Sequence, residues 1–198
     1  MGVIKTALEI AFEKTENVKS DRSSIDLFEA KQQGKKIANA FLAGEDEMTI
    51  QKMTDEIKNA PSSQRESLKQ GIFSVLVSQI ALPAGKEDEK RFEAVGKGLE
   101  AIIKNSGFSA MYKQLTQLFS QYLQEMAHYD QAIRQQYAPK LRQKEEELSR
   151  RLGREVRIDP LQDPEFIAFY NQHMTALKGN YEAVIEQAKE EARRFFEE

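Results

Sequence analysis

The sequence predicts an all-α protein: an irregular N-terminal helical bundle followed by a long, coiled-coil-like antiparallel helical hairpin. Three observations predict it. Lys, Arg, Glu, Gln, Ala and Leu are abundant while 198 residues hold only 5 Pro and no Trp, so helix formers dominate and breakers are scarce. From Tyr112 the apolar residues Leu115, Phe119, Tyr122, Met126, Tyr129 and Ile133 alternate in steps of three and four, a heptad seam. Asp163-Pro164-Glu165 then opens a second long helix, with an acidic cap and Pro at the first helical position.

Taken in order, Val3 to about Asn17 has Ile4, Ala7, Leu8, Ala11 and Phe12 at helical spacing. The polar stretch Val18–Arg22 is expected to break it. Ser23 or Ser24 is expected to cap a second helix, with Asp26 in its first turn and Gly44 closing it. Gly34, inside that helix, costs about 1 kcal/mol relative to Ala and offers a neighbouring helix a close approach. A third helix is expected from Glu45 to Asn59, stopped by Pro61, with Met48, Ile50, Met53 and Ile57 as its apolar positions. Ser63 and Glu66 have the spacing of a capping box for a fourth helix running to Leu82. Ile72, Phe73, Val75, Leu76, Val77, Ile80, Ala81 and Leu82 cover nearly all faces of that helix, which places it at the centre of the N-terminal half. A fifth helix, Glu87 to Asn105, presents Phe92, Val95, Leu99, Ile102 and Ile103 as one stripe. These five helices make an expected bundle over 1–107, and no fixed-length repeat links them.

The hairpin is expected over 108–198, with its outgoing helix at Ser109–Leu152 and its tip at 153–162. Tyr137, Leu141, Leu148 and Leu152 continue the seam only if the register slips near Pro139, which implies a kink there or a helix break. The return stripe is Phe166, Tyr170, Met174, Leu177, Tyr181, Val184, Ala188, Ala192 and Phe195, with a mean spacing near 3.6. At ~1.5 Å per residue the two helices span roughly 65 and 55 Å, and a fold-back at the tip puts Phe195 near the level of Phe119. Val156-Arg157-Ile158, between Gly153 and Pro160, alternates like a short extended piece and implies an ordered tip.

The candidate interaction surface has two parts. All six tyrosines, including Tyr122, Tyr129, Tyr137, Tyr170 and Tyr181, lie in the hairpin half and on its seam stripes. Tyrosine suits positions with one dry and one wet end, so the seam is either half-solvated or completed by another chain. A homo-oligomer is the economical solution for so long a hairpin. The second part is basic. Lys140–Arg157 carries seven cations, including Arg150, Arg151, Arg154 and Arg157, against four carboxylates, whereas Ile158–Glu198 is acidic. Such a tip suits a protein partner. The alternative is a nucleic-acid-binding accessory role, although no aromatic lies among these arginines to stack on bases. The bland counterpart is a solvated face with Glu146–Arg150 and Glu147–Arg151 at turn spacing.

Enzyme chemistry finds little footing. There is no Cys, which excludes disulfides and thiolate metal sites. Glu125-x-x-His128 has the spacing of a carboxylate-bridged metal helix, but it occurs once and the other histidine, His173, lacks the Glu. Gly34-Lys35-Lys36 and Gly85-Lys86 lack the phosphate-loop frame, and Gly107-Phe108-Ser109-Ala110 is no nucleophile elbow. The opening Met1-Gly2-Val3-Ile4-Lys5-Thr6 fits a loose myristoylation pattern of low specificity. No apolar run is long enough for a signal peptide or a membrane span, so the expectation is a cytoplasmic protein. The functional expectation is a non-enzymatic interaction or scaffold protein without cofactor or metal.

Overall fold

The computed structural model describes residues 7–44 and 48–198, with side chains from residue 22 onward in these ranges. The side chains of the first apolar stripe, the Met1–Thr6 pattern and the Glu45-Asp46-Glu47 helix start lie outside the described residues. The protein is all-α. The described helices are α1 (Ala7–Ala43), α2 (Ile50–Asn59), α3 (Arg65–Ser78), α4 (Glu89–Ile103), α5 (Ser106–Leu152) and α6 (Pro164–Glu197). Two compact units divide the chain: residues up to Ile80 with Arg91–Ser106, and Ala81–Lys90 with Gly107–Glu198. The sequence does not suggest that Ala81–Lys90 belongs with the second unit.

In the first unit α1 is one helix of 37 residues, not two. Val18–Arg22 does not break it, because the stretch holds no Pro or Gly and its residue types cost a helix only a few tenths of a kcal/mol each. Asp26 therefore lies mid-helix, not in a first turn. Arg22–Glu29 is exposed throughout, and the helix begins to bury side chains at Ala30. From there Gly34 meets Gly71 of α3. A Cβ on Gly71 would lie 3.1 Å from the Gly34 Cα and would collide with the Lys31 carbonyl; one on Gly34 would collide with the Leu68 carbonyl. The close approach expected at Gly34 is thus made, backbone on backbone. Gly44, at φ 66°, ends the helix in the left-handed conformation.

Thr49 caps α2 by accepting the Lys52 N–H at 3.2 Å. The Ser63/Glu66 capping box does not form. Pro61 instead opens a turn whose carbonyl takes the N–H groups of Gln64 and Arg65, and α3 starts at Arg65 with no side-chain cap. The Arg65 guanidinium reaches back to the carbonyls of Ile57 (3.1 Å) and Lys58 (2.8 Å), which the end of α2 leaves without helical partners. Leu68, Ile72, Phe73, Leu76 and Val77 are buried on α3, as its central position requires. The helix ends at Ser78, four residues earlier than expected, although Ile80 beyond it is still fully buried. Phe92, Val95, Leu99 and Ile102 form the buried stripe of α4.

Lys104 follows α4 with φ 54°, the one described non-glycine residue at positive φ. Its N–H closes the helix on the Glu100 carbonyl at 3.1 Å. A side chain in this conformation costs about 1 kcal/mol that glycine does not incur. Lys104→Gly is therefore expected to raise stability by up to about 1 kcal/mol in urea unfolding.

In the second unit α5 runs 47 residues and α6 runs 34. The α5 helix passes Pro139 unbroken; Pro139 is exposed, so its missing N–H leaves the freed carbonyl to solvent. Asp163 caps α6 and Pro164 takes its first position, as expected. Three ring contacts set the antiparallel register: Phe108 with Phe195, Tyr122 with Tyr181, and Tyr137 with Phe166. Successive contacts are 14 and then 15 residues apart on both helices, a mean close to four turns of 3.6 residues. The pairing therefore follows the period of straight helices. A strict heptad drifts ~20° per repeat against that period. Tyr129, three residues after half-buried Met126, is consequently rotated out of the seam and is 42% exposed. The expected slip is spread along the helix and not concentrated at Pro139. On α6 the same geometry buries Ile185 (3% exposed) and leaves Val184 outside (42%), the reverse of the expected stripe.

Phe195 lies against Phe108, not at the level of Phe119. The reason is the tip. Residues 153–162 do not reverse the chain in a tight turn but run back along the last turns of α5. The Val156 N–H donates to Ser149 Oγ at 2.9 Å, and the Ile158 N–H donates to Glu145 Oε1 at 2.9 Å. This strap uses up α5 length before α6 begins, and it shifts every later pairing toward the start of α5.

A hairpin with an aromatic seam and a locked tip

The strap ends at Asp163, the one buried charged side chain among the described residues, 5% exposed. The chain brings three partners to it. Lys144 Nζ donates to its two oxygens at 2.9 and 2.7 Å, the Glu165 N–H donates at 3.0 Å, and the Tyr137 hydroxyl lies 3.4 Å away. Lys144 also pairs with Glu165 at 3.1 Å, and Lys140 pairs with Glu165 at 2.7 Å. The Tyr137 ring packs on Phe166 and Phe169, with the Lys140 ammonium 5.5 Å from its centroid. Hydrogen bonding to Lys144, opposed by burial and aided by backbone N–H groups, holds the Asp163 carboxyl below the usual carboxylate range. Asp163, reinforced by Glu165 and Tyr137, raises the Lys144 ammonium well above the ordinary lysine value.

Further along, two half-buried tyrosines are tied to carboxylates of α5. Tyr170 is linked to Asp130, which Arg134 holds at 2.9 Å, and Tyr181 is linked to Glu125. Burial first, and these carboxylates second, push both phenols upward. Each ring is dry and each hydroxyl reaches the wet edge, which is the division of labour tyrosine allows.

The predicted surface residues therefore separate. Tyr122 and Tyr137 are buried by the hairpin itself, at 5% and 6% exposure, and offer no outer surface. Tyr170 and Tyr181 are half-covered and use their hydroxyls inside the hairpin. Tyr129 stands outside, with no hydrogen bond or ring contact among the described residues. Arg150, Arg151, Arg154 and Arg157 are all exposed. Arg150 pairs with Glu146 at 3.6 Å and Arg157 with Glu155 at 3.3 Å. Lys140 and Lys144, counted with the basic tip in the sequence, are neutralised by the start of α6. Beside them lies a groove of about 400 Å³ lined by Leu148, Arg151, Ile158, Gln162 and Pro164 among others. Leu152 and Leu161 are more than half exposed at the same tip.

The lock is the feature that sequence reading missed. Asp163 is legible as a cap, but Lys144 and Tyr137 stand 19 and 26 residues away, and no local spacing links them. Phe169, which packs on Tyr137, was also outside the predicted stripe. As for metal chemistry, His128 is exposed, Glu125 is engaged by Tyr181, and the His173 ring sits edge-on to Phe169 at 4.6 Å. No group of three or more potential His, Cys, Asp or Glu ligands occurs among the described residues. No helix among them is long and apolar enough to cross a membrane.

These features define an all-α protein with a long helical hairpin, closed at its tip by an ion pair between buried Asp163 and half-buried Lys144. Residues 54–194 match the model of a family of unknown function, DUF6657, and the chain belongs to that family. No curated protein and no solved structure matches the chain.

Proposed function

We propose that this is a non-enzymatic interaction or scaffold protein of the cytoplasm that self-associates through its hairpin. The observation that carries this reading is the contrast along the hairpin. Its tip is locked by Asp163, its other tyrosines are covered or tied within the hairpin, and yet Tyr129, Ile167, Val184, Leu152 and Leu161 stay 39–58% exposed. A braced arm that leaves apolar side chains outside is suited to contact, since ordering costs are already met in the free state. The tip arginines supply a place for a protein partner to be steered and oriented. A nucleic-acid role is supported less well, because Lys140 and Lys144 are occupied by Asp163 and Glu165. Sedimentation equilibrium is the test. A dimer or larger assembly at tens of micromolar is expected; a monomer at all concentrations overturns self-association.

A further inference from the structure

The Asp163–Lys144 pair divides the hairpin into two stretches held in different ways. On one side of it the nearest buried rings, Tyr137 and Phe166, are 6% and 1% exposed. On the other side none of the described residues 145–162 is buried. This outer stretch has two parts. The end of α5, residues 145–152, keeps Leu148 half-covered and leaves Leu152 outside. The strap starts at Gly153 in the left-handed conformation, and Val156, Ile158 and Pro160 are its half-covered residues. No N–H from 154 to 159 is bonded to a backbone carbonyl among the described residues. The strap is held to α5 by the Val156 N–H on Ser149 Oγ and the Ile158 N–H on Glu145 Oε1. Two extended residues and four helical ones each cover ~6 Å, so strap and helix end match in length. Each tie therefore braces both parts. In water a helix is kept mainly by packing of its apolar face, and Leu148 meets the strap's Ile158 across the tip groove.

We infer that residues 145–162 form one cooperative unit that opens and closes on the hairpin, and that the Asp163–Lys144 pair is the stop at which opening ends. Local opening is governed by buried apolar contacts and by protected hydrogen bonds, and both change at this pair. The lock thus fixes the base of the tip and leaves its outer turns free to open. The groove beside the lock depends on the state of the unit. Leu148, Arg151 and Ile158 of its lining belong to the unit, whereas Lys144, Asp163 and Pro164 belong to the base. The groove exists only while the unit is closed. The tip is an order–disorder switch whose two states present different surfaces.

Amide hydrogen exchange of the full chain, read residue by residue by NMR, is the test. The amides of Val156, Ile158 and 150–153 are expected to share one opening constant, at least about a hundredfold larger than that of Ile133–Tyr137. Glu145→Ala separates a cooperative unit from a loop beside a helix. It removes the acceptor of the Ile158 N–H, yet it puts the best helix former in α5 and takes an acidic group away from the helix C-terminus. Propensity and dipole alone therefore slow exchange at 150–153. The cooperative unit predicts the opposite: exchange at Val156 and at 150–153 rises about tenfold, with Ile133–Tyr137 unchanged. Ser149→Ala is expected to act likewise on Ile158 and 150–153, by roughly fivefold. Slower or unchanged exchange at 150–153 in both variants overturns the unit. Tip amides that exchange only as fast as Ile133–Tyr137 overturn the opening. Acceleration that extends to Phe166–Tyr170 overturns the lock as its stop.

Discussion

Gly71→Ala and Gly34→Ala are each expected to cost about 3 kcal/mol or more, the upper range for overpacking. The added Cβ meets not a side chain that can rotate away but the backbone carbonyls of Lys31 and Leu68. Relief requires α1 and α3 to separate along their contact, which opens gaps around Ala30, Ile37, Leu68 and Ile72. The same substitution gives different results elsewhere in the chain. At Gly98 the new atom meets Leu76 and Phe41 side-chain carbons at 3.0 Å, which can shift, and the expected cost is about 1 kcal/mol. At Gly179, in the interior of α6 with nothing within 4 Å, alanine is expected to stabilise by roughly 1 kcal/mol through helix propensity. Urea unfolding measures all four. Far-UV ellipticity follows both units, whereas tyrosine fluorescence follows only the hairpin, where all six tyrosines lie. Equal effects at the four glycines would refute the backbone-contact explanation.

Asp163→Ala is expected to destabilise the hairpin by about 2–3 kcal/mol, combining a lost helix cap with lost charge-assisted hydrogen bonds. Asp163→Asn separates the two contributions. Asparagine caps a helix as well as aspartate but carries no charge, so about 1 kcal/mol of loss is expected. The pH dependence follows from the directions of the shifts. The Asp163 carboxyl is held below its usual range, so its contribution is present above about pH 4, the unfolded value, and is lost as pH falls through the folded one. The Lys144 ammonium is raised, so its contribution is present below about pH 10 and is lost as pH climbs through its folded value. Stability measured by tyrosine fluorescence should therefore fall at acid pH in the wild type and change less in Asp163→Asn. Identical acid profiles for the two proteins would show that the pair does not govern the tip.

How much of this was legible depends on the range of the cause. Asp163-Pro164 marks the start of α6 because capping and the fixed φ of proline act within a few residues. Gly44 marks the end of α1 for the same reason. The Val18–Arg22 break failed because polar residues permit a helix end without requiring one. The capping box failed because the turn opened by Pro61 takes in Ser63 and moves the cap position to Gln64, so that α3 starts at Arg65 and Glu66 is no longer three residues after the cap. Of the candidate surface, the tip arginines are exposed as read. Tyr122 and Tyr137 are not, because the rings of Tyr181 and Phe166 on α6 close over the seam where they lie. Tyr129, read onto the same seam, is outside it because a period of 3.5 and a period of 3.6 part by ~20° per heptad.

Composition and periodicity by themselves determined the all-α class, the two long helices and their order, since helix formation depends on local propensity and on which residues share a face. The tertiary structure alone decided the register of the hairpin, the Gly34–Gly71 contact and the Asp163–Lys144 lock. Each of these joins residues 19 or more positions apart, and their relative placement is set by how the strap folds back and how closely two backbones can approach, quantities that no local window of sequence contains.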